Sequence, residues 1–343
     1  HSGGHTMTQP RFGAAILGCE GLSVSQSEKA FFRDANPLGF ILFARNLETG
    51  DQIRALTDDL RASVGWQAPV FIDQEGGRVQ RLRPPLAREW SAPLDHVDAS
   101  GMNAEQVIYL RYRIIAAELL SLGIDGNCAP MLDIARDGTH PFLRNRCYGT
   151  DLDQVVRIGQ AVAKAHLDGG VFPVAKHIPG HGLAQMDSHL ELPRISLPAD
   201  ELYATDFAAF KPFVDLPFGM TAHLVYEALT DEPATTSKMM IDLIRNDIGF
   251  NGFIMTDDIS MEALSGTVAE RGAASIAAGC DAVLHCNGHL DEMIALMNQI
   301  GVMSDAAQAR AEQALNARKT APQVDIDDLT AKLSALEEKR VDD

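Results

Sequence analysis

The chain has 343 residues, 46% of them hydrophobic and 22% charged, a globular composition with enough apolar mass for a large core. Its formal net charge of −18 opposes a nucleic-acid backbone or an anionic membrane as partner, because both would repel it. No apolar run reaches the roughly 18 residues of a membrane span. The five cysteines (Cys19, Cys128, Cys147, Cys280 and Cys286) form neither a disulfide framework nor a zinc pattern, and they fit a reducing cytoplasm. The segment before Met7 reads as an expression scar, and residues 1–10 are set aside as an N-terminal extension.

Eight short apolar runs follow in order: Gly13–Leu17, Gly39–Phe43, Pro69–Ile72, Gly126–Leu132, Phe172–Ala175, Phe218–Ala222, Gly252–Met255 and Ala282–His285. They are continuous and do not alternate, the pattern of parallel strands buried on both faces. Helical stretches fall between them. Gln52–Ser63 follows the capping candidates Thr49 and Asp51; Ala104–Leu122 carries Leu110, Ile114, Ile115, Leu119 and Leu120 near helical spacing, and Leu152–Asp168 and Ser237–Asn246 are amphipathic in the same way. Strand–helix alternation repeated eight times predicts an α/β fold, a (β/α)8 TIM barrel in a single domain spanning 11–321. No Gly-x-Gly-x-x-Gly follows the first run, which argues against a doubly wound dinucleotide fold. Residues 322–343 form an acidic tail with one expected helix, Asp327–Lys339.

The strand ends carry the chemistry, since in such barrels they converge on one face. The third run ends in Asp73-Gln74-Glu75-Gly76-Gly77-Arg78-Val79-Gln80-Arg81, where a carboxylate and a cation could hold vicinal hydroxyls. The fourth ends at Asp133, ahead of Arg144, Arg146 and Tyr148. The fifth leads into Lys176-His177-Ile178-Pro179-Gly180-His181-Gly182 and then Asp187-Ser188-His189, a density of ionisable groups that folding alone does not favour beside a buried strand. The sixth and eighth end in His223 and in His285-Cys286-Asn287, and the seventh in Thr256-Asp257-Asp258. Asp257 lies nearer the barrel mouth; Asp258, just before Ile259-Ser260-Met261-Glu262, is at least as well explained as a helix cap. Pro179 and Gly180 break any helix between His177 and His181, so a His-x-x-x-His metal pair is not expected. Serine nucleophile elbows and phosphate loops are absent.

Together the Asp73–Arg81, Lys176–Gly182, Asp187–His189 and Thr256–Glu262 motifs resemble glycoside hydrolase family 3, in the right order from about Phe12 to about Asn287. They are most similar to its single-domain bacterial β-N-acetylhexosaminidases, because the chain stops near where larger members begin a second α/β domain. The resemblance implies a retaining exo-β-N-acetylglucosaminidase with no cofactor or metal. It would be a cytoplasmic monomer acting on small-molecule muropeptides that carry 1,6-anhydro-N-acetylmuramic acid, in cell-wall recycling. Carried over residue by residue, it makes Asp257 the nucleophile and His189 the acid/base paired with Asp187, with Asp73, Arg81, Arg146, Lys176 and His177 binding the sugar. The match at Arg146 is complicated by its neighbour Arg144. Alternatives within the family are a phosphorylase, whose neutral His would tolerate a phosphate dianion, and a β-glucosidase. Outside it stand a Schiff-base lyase on Lys176 and a sugar-binding protein without activity.

Overall fold

The computed structural model describes residues 10–184, 192–261, 264–320 and 323–341. Eight parallel strands form the centre: β1 (Gly13–Leu17), β2 (Pro37–Leu42), β3 (Val70–Ile72), β4 (Gly126–Asn127), β5 (Phe172–Ile178), β6 (Phe218–Thr221), β7 (Phe253–Met255) and β8 (Val283–His285). They hydrogen-bond in the order β7-β6-β5-β4-β3-β2-β1-β8, and a parallel bridge between Met255 and Ala282 joins β7 to β8 and closes the ring. The chain is a (β/α)8 barrel, and every expected run contributes a strand.

Two boundaries differ from expectation for identifiable reasons. The fourth run pairs only over Gly126–Asn127, because Pro130 has no N–H for the ladder, and Met131 rejoins it through a bridge to Lys176. The fifth strand runs on to Ile178, so Lys176 and His177 belong to the strand itself and are not in the loop beyond it.

Helices α1 (Gln26–Ala35), α2 (Gly50–Val64), α3 (Ala104–Ser121), α4 (Leu152–Asp168), α5 (Lys238–Leu243), α6 (Val268–Ala278) and α7 (Leu290–Ile300) surround the strands. Helix α2 starts at Gly50, two residues before the expected Gln52, and of the two capping candidates Thr49 is the one used: its Oγ1 accepts from Gln52 N while the Gln52 side chain reaches back to the Thr49 N–H. Beyond α5 the chain continues as a π-turn, Ile244–Ile248, to a left-handed Gly249. A last helix, α8 (Ile326–Val341), lies along α3, with Leu333 fully buried and Glu337 3.0 Å from His96. No helix among the described residues is long and apolar enough to cross a membrane.

The barrel interior is plugged by aromatic rings. Phe218 meets Phe71, Phe172 and Phe253 edge-on, with centroids 5.3, 5.3 and 5.7 Å apart. This plug sets the parity of the strand ends, because residues two apart on a strand face the same way. Phe71 points inward, so Asp73 and Glu75 follow its side; Phe172 and Val174 point inward, so Lys176 does; Phe253 and Met255 point inward, so Asp257 does. Asp258 falls on the opposite parity, although it too reaches the wall of the cavity at the strand ends.

Candidate active site

At the C-terminal ends of the strands lies a cavity of about 370 Å³ whose walls include Asp73, Arg81, Arg146, Lys176, His177 and Asp257. These six expected residues, from the ends of four strands and the loops that follow them, are thus brought together. Asp187 and His189 lie outside the described residues.

Glu75 organises the floor, a role the sequence did not assign. Its side chain is 1% exposed, and it takes a bidentate grip from Arg146, with Nε to Oε1 at 3.0 Å and Nη2 to Oε2 at 2.9 Å. Lys176 Nζ donates to the same Oε2 at 2.5 Å and lies 3.6 Å from Asp73 Oδ1. Burial would raise the Glu75 carboxyl, but Arg146 and Lys176 outweigh it and hold the group well below the usual carboxylate range. Burial would likewise lower Lys176, yet Glu75 and Asp73 push it above the ordinary lysine value. A permanently protonated amine is no Schiff-base nucleophile, which weighs against the lyase alternative. The parity rule was the available signal for Glu75: two acids at i and i+2, both continuing the inward side of Phe71.

The backbone under Glu75 is fixed from α3, where Arg111 Nη2 and the Tyr112 hydroxyl both donate to the Glu75 carbonyl, at 2.7 and 2.8 Å. Gly76 makes this approach possible: its φ is +106°, and a Cβ there would sit 1.9 Å from Arg111 Nη2.

Asp133 serves the second half of the site. Its Oδ2 lies 2.8 Å from His177 Nδ1 and its Oδ1 accepts the His181 N–H at 2.8 Å. It is therefore not the partner of Lys176, which pairs with Glu75 and Asp73. With Nδ1 so held, His177 turns Nε2 toward Asp257, 4.0 Å from Oδ2. Burial, then the neighbouring His177, pushes His181 down to about 4, so it stands neutral at pH 7.

Asp73 accepts from Arg81 at 3.2 Å, and the Arg81 guanidinium rests over the Phe43 ring at 5.3 Å. Of the two candidate arginines, Arg146 lines the cavity, whereas Arg144 donates to the Arg136 carbonyl at 2.6 Å. Among the described residues Asp258 caps no helix, contrary to one expectation: the following helix, α6, is capped by Thr267. Instead its Oδ1 accepts from Ser260 N at 3.1 Å and from Cys286 N at 3.2 Å, which ties the seventh loop to the eighth. His223 is fully buried and engaged with Thr235 and the Asp258 carbonyl. Among the described residues no group of three or more His, Cys, Asp and Glu is arranged to hold a metal ion.

A cavity lined by carboxylates and cations, with one carboxylate facing a histidine, suits a polyhydroxylated ligand and attack at an electrophilic carbon. Comparison with known proteins points the same way. The family described as "Glycosyl hydrolase family 3 N terminal domain" matches residues 5–317. The "Beta-hexosaminidase" of Alkalilimnicola ehrlichii is 35% identical over 285 residues, covering 80% of this chain and 81% of that relative. That of Tolumonas auensis is 34% identical, with 80% and 83% covered. Among solved structures, native NagZ from Neisseria gonorrhoeae superposes with a TM-score of 0.83 at 29% identity, over 96% of both chains. A family 3 β-N-acetylglucosaminidase from Paenibacillus gives 0.84 at 26% identity, over 94% of this chain and 67% of that one.

Proposed function

The chain belongs to glycosyl hydrolase family 3 and is a β-hexosaminidase, and on that footing we propose that it is a retaining exo-β-N-acetylglucosaminidase working through a glycosyl-aspartate intermediate. The observation that carries the proposal is the setting of Asp257. It ends an inward-facing series on β7, lines the cavity beside the Asp73, Arg81 and Lys176 cluster, and lies 4.0 Å from a histidine already oriented by Asp133.

In the first step an Asp257 oxygen attacks the anomeric carbon as the bond to the leaving oxygen breaks, and His189, oriented by Asp187, supplies the proton to that oxygen. In the second step His189 takes a proton from water, which displaces the aspartate with a second inversion and so restores the β configuration. His177 is unsuited to the acid role. A retaining enzyme keeps its nucleophile and acid about 5–5.5 Å apart on either side of the glycosidic bond, while His177 sits against Asp257 itself. His181, neutral at pH 7 with its value near 4, has little proton to give. The resemblance assigns the acid to the 185–191 segment, whose preceding residue is tied to the cavity wall by His140 N donating to the Ala184 carbonyl at 2.9 Å.

Asp73, Arg81, Arg146, Lys176 and His177 would hold the terminal sugar and its acetamido group. The substrate would be a cell-wall fragment in which that sugar is joined to 1,6-anhydro-N-acetylmuramic acid bearing peptide, turned over in the cytoplasm by residues 11–321 acting as one catalytic unit in a monomer. The test is hydrolysis of aryl β-glycosides of N-acetylglucosamine, N-acetylgalactosamine and glucose, with and without phosphate. Preferred release of N-acetylglucosamine regardless of phosphate supports the proposal. Sugar 1-phosphate as product, or a preference for glucose, replaces it with the phosphorylase or the β-glucosidase.

A further inference from the structure

Helix α8 does more than cover α3. Its Glu337 reaches His96, whose Nε2 lies 3.0 Å from the carboxylate, and the other ring nitrogen, Nδ1, lies 2.9 Å from Arg111 Nη1. Arg111 is the residue whose Nη2 donates to the Glu75 carbonyl at 2.7 Å. A line of three side chains thus runs from α8 to the backbone beneath the sugar-binding cluster.

The chemistry of the line fixes its direction. A guanidinium has donors only, so His96 Nδ1 must accept, and the ring proton sits on Nε2 and is donated to Glu337. Burial, then Arg111, lowers His96 below the ordinary histidine value against the pull of Glu337, so the neutral ring this requires is the form present at pH 7. Arg111 is fully buried against the Trp90 and Tyr112 rings, 5.3 and 5.4 Å from their centroids, and spends both terminal nitrogens on neutral acceptors. The carboxylate this line supplies to the buried charge is therefore Glu337, acting through the polarised imidazole. Packing alone does not set the ring. Trp90 covers it on one side at 6.2 Å, but a cavity of about 190 Å³ borders His96 and Glu337, its other walls being Ala99, Ser100, Val107 and Leu336. The short helix that carries His96, Pro93–Ser100, also touches the loop of Arg146, since Leu94 N donates to the Asn145 carbonyl at 3.2 Å.

We propose that His96 and Glu337 are positioning residues: through them α8 aims Arg111, and so holds Glu75, with the Arg146 and Lys176 it pairs with, in register for the terminal sugar. A tilt of the Arg111 fork releases the Glu75 carbonyl, and a shift there passes to all three donor contacts on the carboxylate. The inference rests on the hexosaminidase reading and adds α8 to what keeps that site in shape.

The test reads the KM of an aryl β-N-acetylglucosaminide and the Ki of N-acetylglucosamine as a competitive inhibitor, neither of which depends on how much of a preparation is folded. His96→Leu deletes both hydrogen bonds and should raise both constants about five- to thirtyfold, the upper part of the range for coupling through such a network. Glu337→Ala, at a side chain 41% exposed and so tolerant of change, should raise them about threefold. Glu337→Gln, which still accepts the ring N–H, should bring them back to within about twofold of wild type. In a Glu75→Gln background His96→Leu should add less than about twofold, because the carboxylate it aims is gone. A purely structural role predicts lowered melting temperatures with KM and Ki unmoved, and that result in both His96→Leu and Glu337→Ala overturns the proposal. A full, additive effect of His96→Leu in the Glu75→Gln background overturns it as well. A wild type that hydrolyses no β-N-acetylglucosaminide defeats the hexosaminidase reading and this proposal with it, whereas unmoved constants in an active enzyme defeat the proposal alone.

Discussion

Replacing Glu75 with Gln keeps the shape of the side chain and deletes one buried charge, so it isolates what that carboxylate does. Three donor contacts converge on it, two from Arg146 and one from Lys176. In the variant both cations stay buried, with Asp73 3.6 Å from Lys176 as the nearest remaining carboxylate partner. Removing one partner from such a network costs about 3–5 kcal/mol, because the charge left behind keeps its desolvation penalty. Unfolding entropy for 343 residues is roughly 0.7 kcal/mol per kelvin, so 3 kcal/mol corresponds to a Tm lower by about 4 °C. Both kcat and KM should suffer, since Arg146 and Lys176 lose the group that aims them. The gap should also narrow in acid. With its folded value well below the ordinary 4.5, Glu75 contributes its full stability above that pH and loses it only as the pH falls toward the folded value, a loss Gln cannot show. Calorimetry, denaturant titration and steady-state kinetics on Glu75→Gln, Arg146→Met and the double variant make the assay. The double variant should be more stable than the sum of the singles predicts by at least about 1 kcal/mol. A Glu75→Gln protein within about 1 kcal/mol of wild type and with unchanged KM would refute the argument.

The remaining expectations are shorter. Asp257→Ala should lose nearly all turnover with its melting temperature retained, whereas Asp258→Ala should keep activity and lose about 1–2 kcal/mol through its contacts to Ser260 and Cys286; the reverse outcome would shift the register of the seventh strand end by one residue. His189→Ala should slow substrates with poor leaving groups about 10²–10⁴-fold more than activated aryl glycosides, and equal damage to both in the glycosylation step would remove it from the acid role. His166 and His181 are each pushed down to about 4, both chiefly by burial, so the unfolded chain binds more protons than the folded one between about 6.5 and 4. Stability must therefore fall as pH falls through that window, by up to about 3 kcal/mol per histidine, and denaturant titrations of His166→Gln should show a shallower slope.

The barrel was legible because its eight strands are buried on both faces and so appear as unbroken apolar runs, and because α2 and α4 start at side chains that cap them, Thr49 and Asp151. The site was legible in part. Asp257 could be preferred to Asp258 from position alone; both reach the cavity, but Asp257 continues the inward parity of Phe253 and Met255 and faces His177, whereas the Asp258 carboxylate is taken up by Ser260 and Cys286. What stayed hidden depended on partners far along the chain. Nothing near Glu75 shows that its charge is matched by Lys176, 101 residues away, and by Arg146, 71 residues away. Nothing near Asp258 shows that the N–H it accepts belongs to Cys286, so the local pattern imitates a helix cap. Strand parity narrows that gap, because it fixes which side each side chain takes before its partner is known. Extended from the Phe71 plug, it puts Asp73 and Glu75 on one side, and two carboxylates side by side in a barrel mouth require cations. Lys176, the inward residue two beyond Val174, meets that requirement from β5. Arg146 meets it from a loop with no such periodicity, and there only the folded chain tells it from Arg144.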